Sequence, residues 1–376
     1  MLVYALPQIG YEAVRRGSTI LPSLNIAIDR VVFRKLIAVS GLAAVVAIGL
    51  YFAQNLGLAR WAPITRFLEM AWPVLLILAV PYMCTVHALQ QNQKDEFFHM
   101  GSLLVGDLSI VDWSQIKHFV LSWTIKLFFI PIMFWELNMA IQAVDTALRS
   151  NTVGQLHAYQ MLVAVIYFWD LCIAATGYFA TLRLFGWQIR SCSPYPIAWL
   201  VTLICYYPFY GFLYRAFLNY DDDGYYWTTW LDGSPILLAI WGTAILALKF
   251  TWIWSNAPFG LLFSNLTNRG IVTDGAFRFS KHPSYISKNM FWWLIAVPFV
   301  SPAGISFAVE NSLQLAAIGL IYFFRAKYEE LHLSEEPRYV QYADWIEENG
   351  IFRWVGRLIP IMRCWRPPES DSPSPK

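Results

Sequence analysis

The chain has 376 residues, 57% of them hydrophobic and 14% charged, where a soluble domain carries about a quarter charged residues. The apolar residues fall in unbroken runs of the length that crosses a bilayer, which argues against a large soluble protein. A net charge of +2 makes no electrostatic case for nucleic acid, and 18 Trp suit the aromatic belts of a membrane protein.

In chain order, the sequence opens on an N-terminal arm, residues 1–35, expected to be cytoplasmic. The arm lacks the basic-then-apolar order of a signal peptide, so insertion is assigned to the first span. Leu24, Ile26, Ile28 and Val31 fit a helix lying on the membrane surface, and a loose basic anchor fits equally well. About eight spans follow, near 36–54, 68–90, 118–142, 158–182, 195–217, 235–254, 285–300 and 305–324. The fold class is therefore all-α, a polytopic integral-membrane helical bundle. The seventh span is short, and Ser301-Pro302-Ala303-Gly304 joins it to the eighth in a tight hairpin, so it is expected to dip into the bilayer or cross it only barely. Residues 36–234 form an N-terminal transmembrane region of unassigned role, and 235–360 a second membrane core. The tail, 361–376, ends in PPESDSPSPK and is expected to be disordered.

Basic residues set the orientation. One side receives Arg15, Arg16, Arg30, Arg34, Lys35, Lys94, Lys117, Arg183, Arg190, Arg269, Arg278, Lys281 and nearly all the C-terminal cations. The other receives Arg60, Arg66 and Arg149, and a loop at 219–234 with four Asp and no Lys or Arg. Both termini are expected in the cytoplasm. The five cysteines, Cys84, Cys172, Cys192, Cys205 and Cys364, show no metal-type spacing and imply no disulfide framework. Lys126, Glu136, Asp170 and Lys249 lie inside spans. Interhelical pairing that fixes the bundle is the plainer account of them, and cavity lining the other.

Polar residues concentrate at two segments flanking the last hairpin: NRGIVTDGAFRFSKHPSYISKNMFWW (268–293) and RAKYEELHLSEEPRYVQYADW (325–345). A hairpin returns its ends to one membrane face, so Tyr285 and Arg325 are expected to meet. Arg325 and Glu329 share a helix face. The adjacent carboxylates Glu329 and Glu330 suit a ribose diol or an ammonium group, although a solvated ion pair at a helix end reads the same way. His282-Pro283 marks a helix start, because proline favours an extended residue before it and the first helical turn for itself.

Gly275-Ala276-Phe277-Arg278-Phe279-Ser280-Lys281-His282-Pro283-Ser284-Tyr285, then a hairpin, then Arg325, Glu329, Glu330, Leu333, Tyr339 and Tyr342, resembles the isoprenylcysteine carboxyl methyltransferases and related phospholipid methyltransferases. The resemblance covers about 235–345. It implies an integral-membrane methyltransferase that takes S-adenosylmethionine from the cytosol and acts on a membrane lipid or lipidated substrate at a carboxylate or amine. It further implies His282, Pro283, Tyr285, Glu329 and Glu330 as donor contacts, with Tyr339 and Tyr342 closing the pocket. Methyl transfer to a carboxylate calls for an orienting cation, for which Arg325 and Arg278 are the candidates, and for no metal. Two positions depart from the pattern: Ser287 stands for a glycine, and Glu336-Pro337 for Phe-Gly.

Two other readings remain open. The run His282-Pro283-Ser284-Tyr285-Ile286-Ser287-Lys288 with Trp292-Trp293 is also similar to NADPH-dependent membrane lipid reductases of the steroid 5α-reductase type, but Ser284 and Lys288 replace their Asn and Glu. A transporter or scaffold is the third class, against which stands the lack of repeats or broken helices in the sequence.

Overall fold

The computed structural model describes residues 29–90, 92–150 and 154–367. Most of the N-terminal arm, including Leu24, Ile26 and Ile28, and the tail beyond 367 lie outside the described residues. Among the described residues, six helices are long and apolar enough to cross a membrane: α1 (Arg30–Asn55), α2 (Ala62–Leu89), α4 (Trp113–Arg149), α5 (Gln155–Phe179), α9 (Pro235–Asn256) and α11 (Ile305–Leu333). Between them lie α3 (Glu96–Leu104), α6 (Pro196–Leu203), α7 (Phe209–Phe217), α8 (Trp227–Trp230) and α10 (Pro283–Ala296). The chain closes with α12 (Pro337–Asn349) and α13 (Arg353–Leu358). A two-residue antiparallel pair, β1 (Ser191–Cys192) with β2 (Thr267–Asn268), is the one sheet among the described residues.

The expected spans differ from these helices in three informative ways. The first starts at Arg30, inside the expected arm, because Asp29 caps it: its Oδ1 accepts from Val31 N at 2.9 Å and Val32 N at 2.8 Å. The fifth is two short helices, α6 and α7, divided ahead of Pro208, which has no N–H to continue a helical ladder. The chain thus does contain a broken helix, contrary to the expectation. The seventh is α10, whose 14 residues rise about 21 Å, well short of the hydrocarbon thickness. In compensation α11 runs past the expected end at 324 to Leu333, so Arg325, Glu329 and Glu330 all lie on a continuous helix.

The residues form two compact units that interleave along the chain. The first is drawn from the described residues up to Gln142, Leu171–Cys192 and Gly260–Arg269, the second from those of Ala143–Asp170, Ser193–Phe259 and the described residues from Gly270 on. In the first, α1 and α3 approach backbone to backbone: a Cβ on Gly101 would lie 1.8 Å from the Arg34 carbonyl oxygen. Polar groups lock that contact. Lys35 Nζ pairs with Asp95 at 2.9 Å, Arg34 with Asp107 at 2.6 Å, and Arg183 with Asp95 at 3.1 Å and with Glu96. Arg269 is buried and donates to backbone carbonyls, including Gly177 O at 2.7 Å and Trp187 O. Lys126 lies over the Trp123 ring of its own helix at 4.2 Å.

In the second unit, Asn256 Nδ2 donates to Asp170 Oδ1 at 2.6 Å and so ties α9 to α5, as interhelical pairing requires. Lys249 lies 3.7 Å from the centre of the Trp252 ring. An apolar cluster of Trp227, Leu231, Ile245, Phe291 and Val297 packs α8 and α9 on α10. A second cluster, Leu218, Leu315, Ile318 and Tyr322, lies along α11. Both support the hairpin from below its polar end.

Candidate active site

The hairpin ends converge because each strand of chain entering them is steered locally. Gly275 has φ +62, and a Cβ there would lie 2.9 Å from Pro258 Cγ, so only glycine turns the chain without displacing that proline. Pro283 opens α10, leaving His282 outside the helix at φ −132. Pro337 opens α12 in the same way, so the departure at Glu336-Pro337 starts a helix. Its Tyr342 hydroxyl donates to the Phe277 carbonyl at 2.8 Å, fastening α12 over the incoming segment. Tyr339, Tyr342, Ala343 and Ile346 form a small apolar core beneath that contact.

At the centre stands Glu330, fully buried at 0% exposure. Its Oε1 is 3.1 Å from His282 Nε2 and 3.0 Å from Lys281 Nζ. Its Oε2 accepts from Lys327 Nζ at 2.8 Å and from Trp365 N at 3.0 Å. Four donors saturate an ionised carboxylate, and His282 must carry its proton on Nε2 to be one of them. Glu347 forms a second node, 2.8 Å from Lys281 Nζ and accepting from Cys364 N at 2.5 Å. Burial works against the charge on Lys281, but Glu330 and Glu347 outweigh it and hold its amine above the usual lysine value. Burial pushes the Tyr339 and Tyr342 phenols and the Cys364 thiol up.

Residues 361–367, expected from sequence in the disordered tail, form with Pro360 a structural strap. Lys327 Nζ donates to the carbonyls of Met362 at 2.9 Å and Arg363 at 2.8 Å, and Ser334 Oγ to Trp365 O at 3.2 Å. The Trp365 ring packs edge-on against Tyr328 at 5.8 Å. A peptide segment is thereby bound by the same charges that hold the hairpin end.

Between these elements opens a cavity of about 820 Å³, within the size range of small-molecule sites. One wall is polar, with Lys281, His282, Lys327 and Glu347. The other is apolar, with Ile286, Met290, Tyr322 and Phe323, and runs down between α10 and α11. His282 and Tyr285 stack nearly parallel, 7° apart with centroids at 5.6 Å, and both line the cavity.

The site residues expected from sequence separate into three groups. His282, Tyr285 and Glu330 meet at the cavity. Glu329 lies behind it, accepting from the Tyr285 hydroxyl at 2.7 Å, and Tyr339 and Tyr342 are buried in the supporting core; Pro283 is buried at the start of α10. The two arginines are elsewhere. Arg325 is buried among rings, 5.1 Å from Tyr285 and 5.5 Å from Tyr206, and Arg278 is exposed, paired with Asp274 at 3.1 Å. Neither lines the cavity. Sequence reasoning missed Lys327, Glu347, Cys364 and Trp365. Lys327 was readable, since it stands three residues before Glu330 on one helix. Nothing in the sequence signals the strap.

No family model, curated protein or solved structure is similar to this chain.

Proposed function

We propose that the chain is an integral-membrane methyltransferase that takes S-adenosylmethionine from the cytosol and methylates a carboxylate or amine of a membrane lipid or lipidated substrate in this cavity. The observation that carries the proposal is the two-sided cavity at the head of the α10–α11 hairpin: a charged wall for a water-soluble ligand faces an apolar wall for a lipid chain. A donor with ammonium and carboxylate ends fits walls that present both Glu347 and Lys281 or Lys327. The stacked His282 and Tyr285 rings offer an aromatic edge beside them.

S-adenosylmethionine supplies a methyl group on a sulfonium whose positive charge is lost as the methyl passes to the acceptor. The protein's part is orientation and exclusion of water. Glu330 is committed to four donors, so it positions Lys281, His282 and Lys327 and leaves the contacting to them. A carboxylate acceptor needs no base and is held by a cation of the polar wall. An amine acceptor must arrive neutral or give up its proton, and Glu347 is the carboxylate placed to take it. Arg325 fixes Tyr285 from behind and so acts on the site indirectly.

Labelled S-adenosylmethionine added to proteoliposomes carrying a total lipid extract tests the proposal. Label is expected in the organic phase, and its rate is expected to fall at least about 100-fold in His282→Ala. Absence of lipid-extractable label from a folded, correctly inserted protein overturns the proposal.

A further inference from the structure

Residues 351–363, IFRWVGRLIPIMR, form the outer rim of the cavity, and nothing in the site described above uses their surface. They hold no acidic residue and three arginines. Arg353, Arg357 and Arg363 are exposed and all line the cavity. Arg363 donates to the Gly356 carbonyl at 3.1 Å, and none of the three forms an ion pair among the described residues. The charges are interleaved with large apolar side chains that are also exposed: Ile351 58%, Trp354 57%, Leu358 73% and Ile361 54%. This stretch is no membrane span, since α13 has six residues and only a single 3-10 turn, Pro360–Met362, follows it.

Exposed apolar side chains on a span simply face lipid tails. On a short segment at a polar boundary, beside unpaired arginines, they have a different use: Trp, Leu and Ile enter the acyl boundary while the guanidinium groups stay at headgroup level. An arginine without a protein anion offers its fork of donors to phosphate. We infer that residues 351–363 are a binding surface for the headgroups of anionic phospholipids, seated at the mouth of the cavity. The inference needs only this surface and no methyl donor, so it stands or falls apart from the activity proposed above. Zwitterionic lipid is disfavoured, because its ammonium would sit among three cations, and of the carboxylates that line the same cavity Glu330 and Glu347 are paired with Lys281 and Asp344 with Arg366, which leaves Glu348 alone to receive it.

Trp354 is a built-in probe. The full-length protein is placed in phosphatidylcholine nanodiscs containing an equal mole fraction of brominated phosphatidylglycerol or brominated phosphatidylcholine. The Trp354 signal is the difference from Trp354→Phe. Brominated phosphatidylglycerol is expected to quench that signal more strongly, with roughly a fivefold preference for each arginine engaged. The preference is expected to vanish in the triple variant Arg353→Gln/Arg357→Gln/Arg363→Gln and to persist in the triple Lys variant. All three positions are exposed, so folding is not at stake. A salt titration of the unsubstituted protein gives an independent reading, with the preference weakening as salt rises. Equal quenching by the two lipids, a preference that survives the Gln variant, or one indifferent to salt each overturns the inference.

Discussion

Glu330 carries more of this site than its neighbour Glu329, although the two look alike in sequence. Removing the Glu330 charge leaves buried Lys327 with backbone carbonyls but no anion, and Lys281 with Glu347 alone, so Glu330→Gln is expected to destabilise by about 3 kcal/mol, read as a lower thermal midpoint in detergent. Glu329→Gln weakens a single contact to Tyr285 and is expected to cost about 1–2 kcal/mol. Equal losses would contradict the assignment of Glu330 as the network's centre. The pH dependence has a definite sign. Lys281 is held above its ordinary value, so its contribution is complete below about pH 10.5 and is lost as pH rises through the folded-state value. Tyr342 and Tyr339 are also raised, and their neutral forms likewise favour the fold until pH exceeds about 10. Thermal midpoints are therefore expected to fall above about pH 10, and less so in Lys281→Met, when followed by scanning fluorimetry. Residue types were legible here: His282, Tyr285 and Glu330 announce themselves as polar groups at a membrane boundary. Their partners were not, because Trp365 contributes a backbone N–H, which any residue but proline has.

At the scale of elements, sequence pattern locates a helix better than it locates what stops or breaks one. The long apolar runs of α1, α2, α4, α5, α9 and α11 were visible because each is long enough and apolar enough to cross a bilayer. The break between α6 and α7 was masked by an unbroken apolar run on either side of Pro208, and the strap at 360–367 by the polar, proline-rich stretch that directly follows it and suggests disorder. The strap's weight can be measured. Trp365→Ala removes a ring packed on Tyr328, Phe323 and Phe324 and is expected to cost about 2–3 kcal/mol, with a faster proteolytic loss of the C-terminus. An unchanged midpoint would mean that the strap lies on the site without supporting it. In the first unit Gly101→Ala forces a Cβ against the Arg34 carbonyl and is expected to cost more than about 3 kcal/mol, because backbone on both sides has to move.

For the whole molecule, composition was enough to place the chain in a membrane. The reason is physical: a bilayer demands long apolar helices whose backbone bonds are closed within each segment, and little else satisfies it. By the bias of basic residues, the cavity and Lys281 are expected on the cytoplasmic side and the acidic loop at 219–234 on the opposite one. Single cysteines introduced at Arg278 and Asp222 of a cysteine-free protein are expected to react with an impermeant maleimide from opposite faces of oriented vesicles. Activity is less legible than architecture, because it depends on which side chains meet across the hairpin, and that is set by helix ends and by α12. The most direct test of the central claim is calorimetric titration of the purified protein with S-adenosylhomocysteine, run beside NADPH. The account predicts saturable binding of S-adenosylhomocysteine alone, lost in a His282→Ala protein that still unfolds cooperatively. Binding of NADPH alone, or S-adenosylhomocysteine binding that His282→Ala leaves intact, would contradict it.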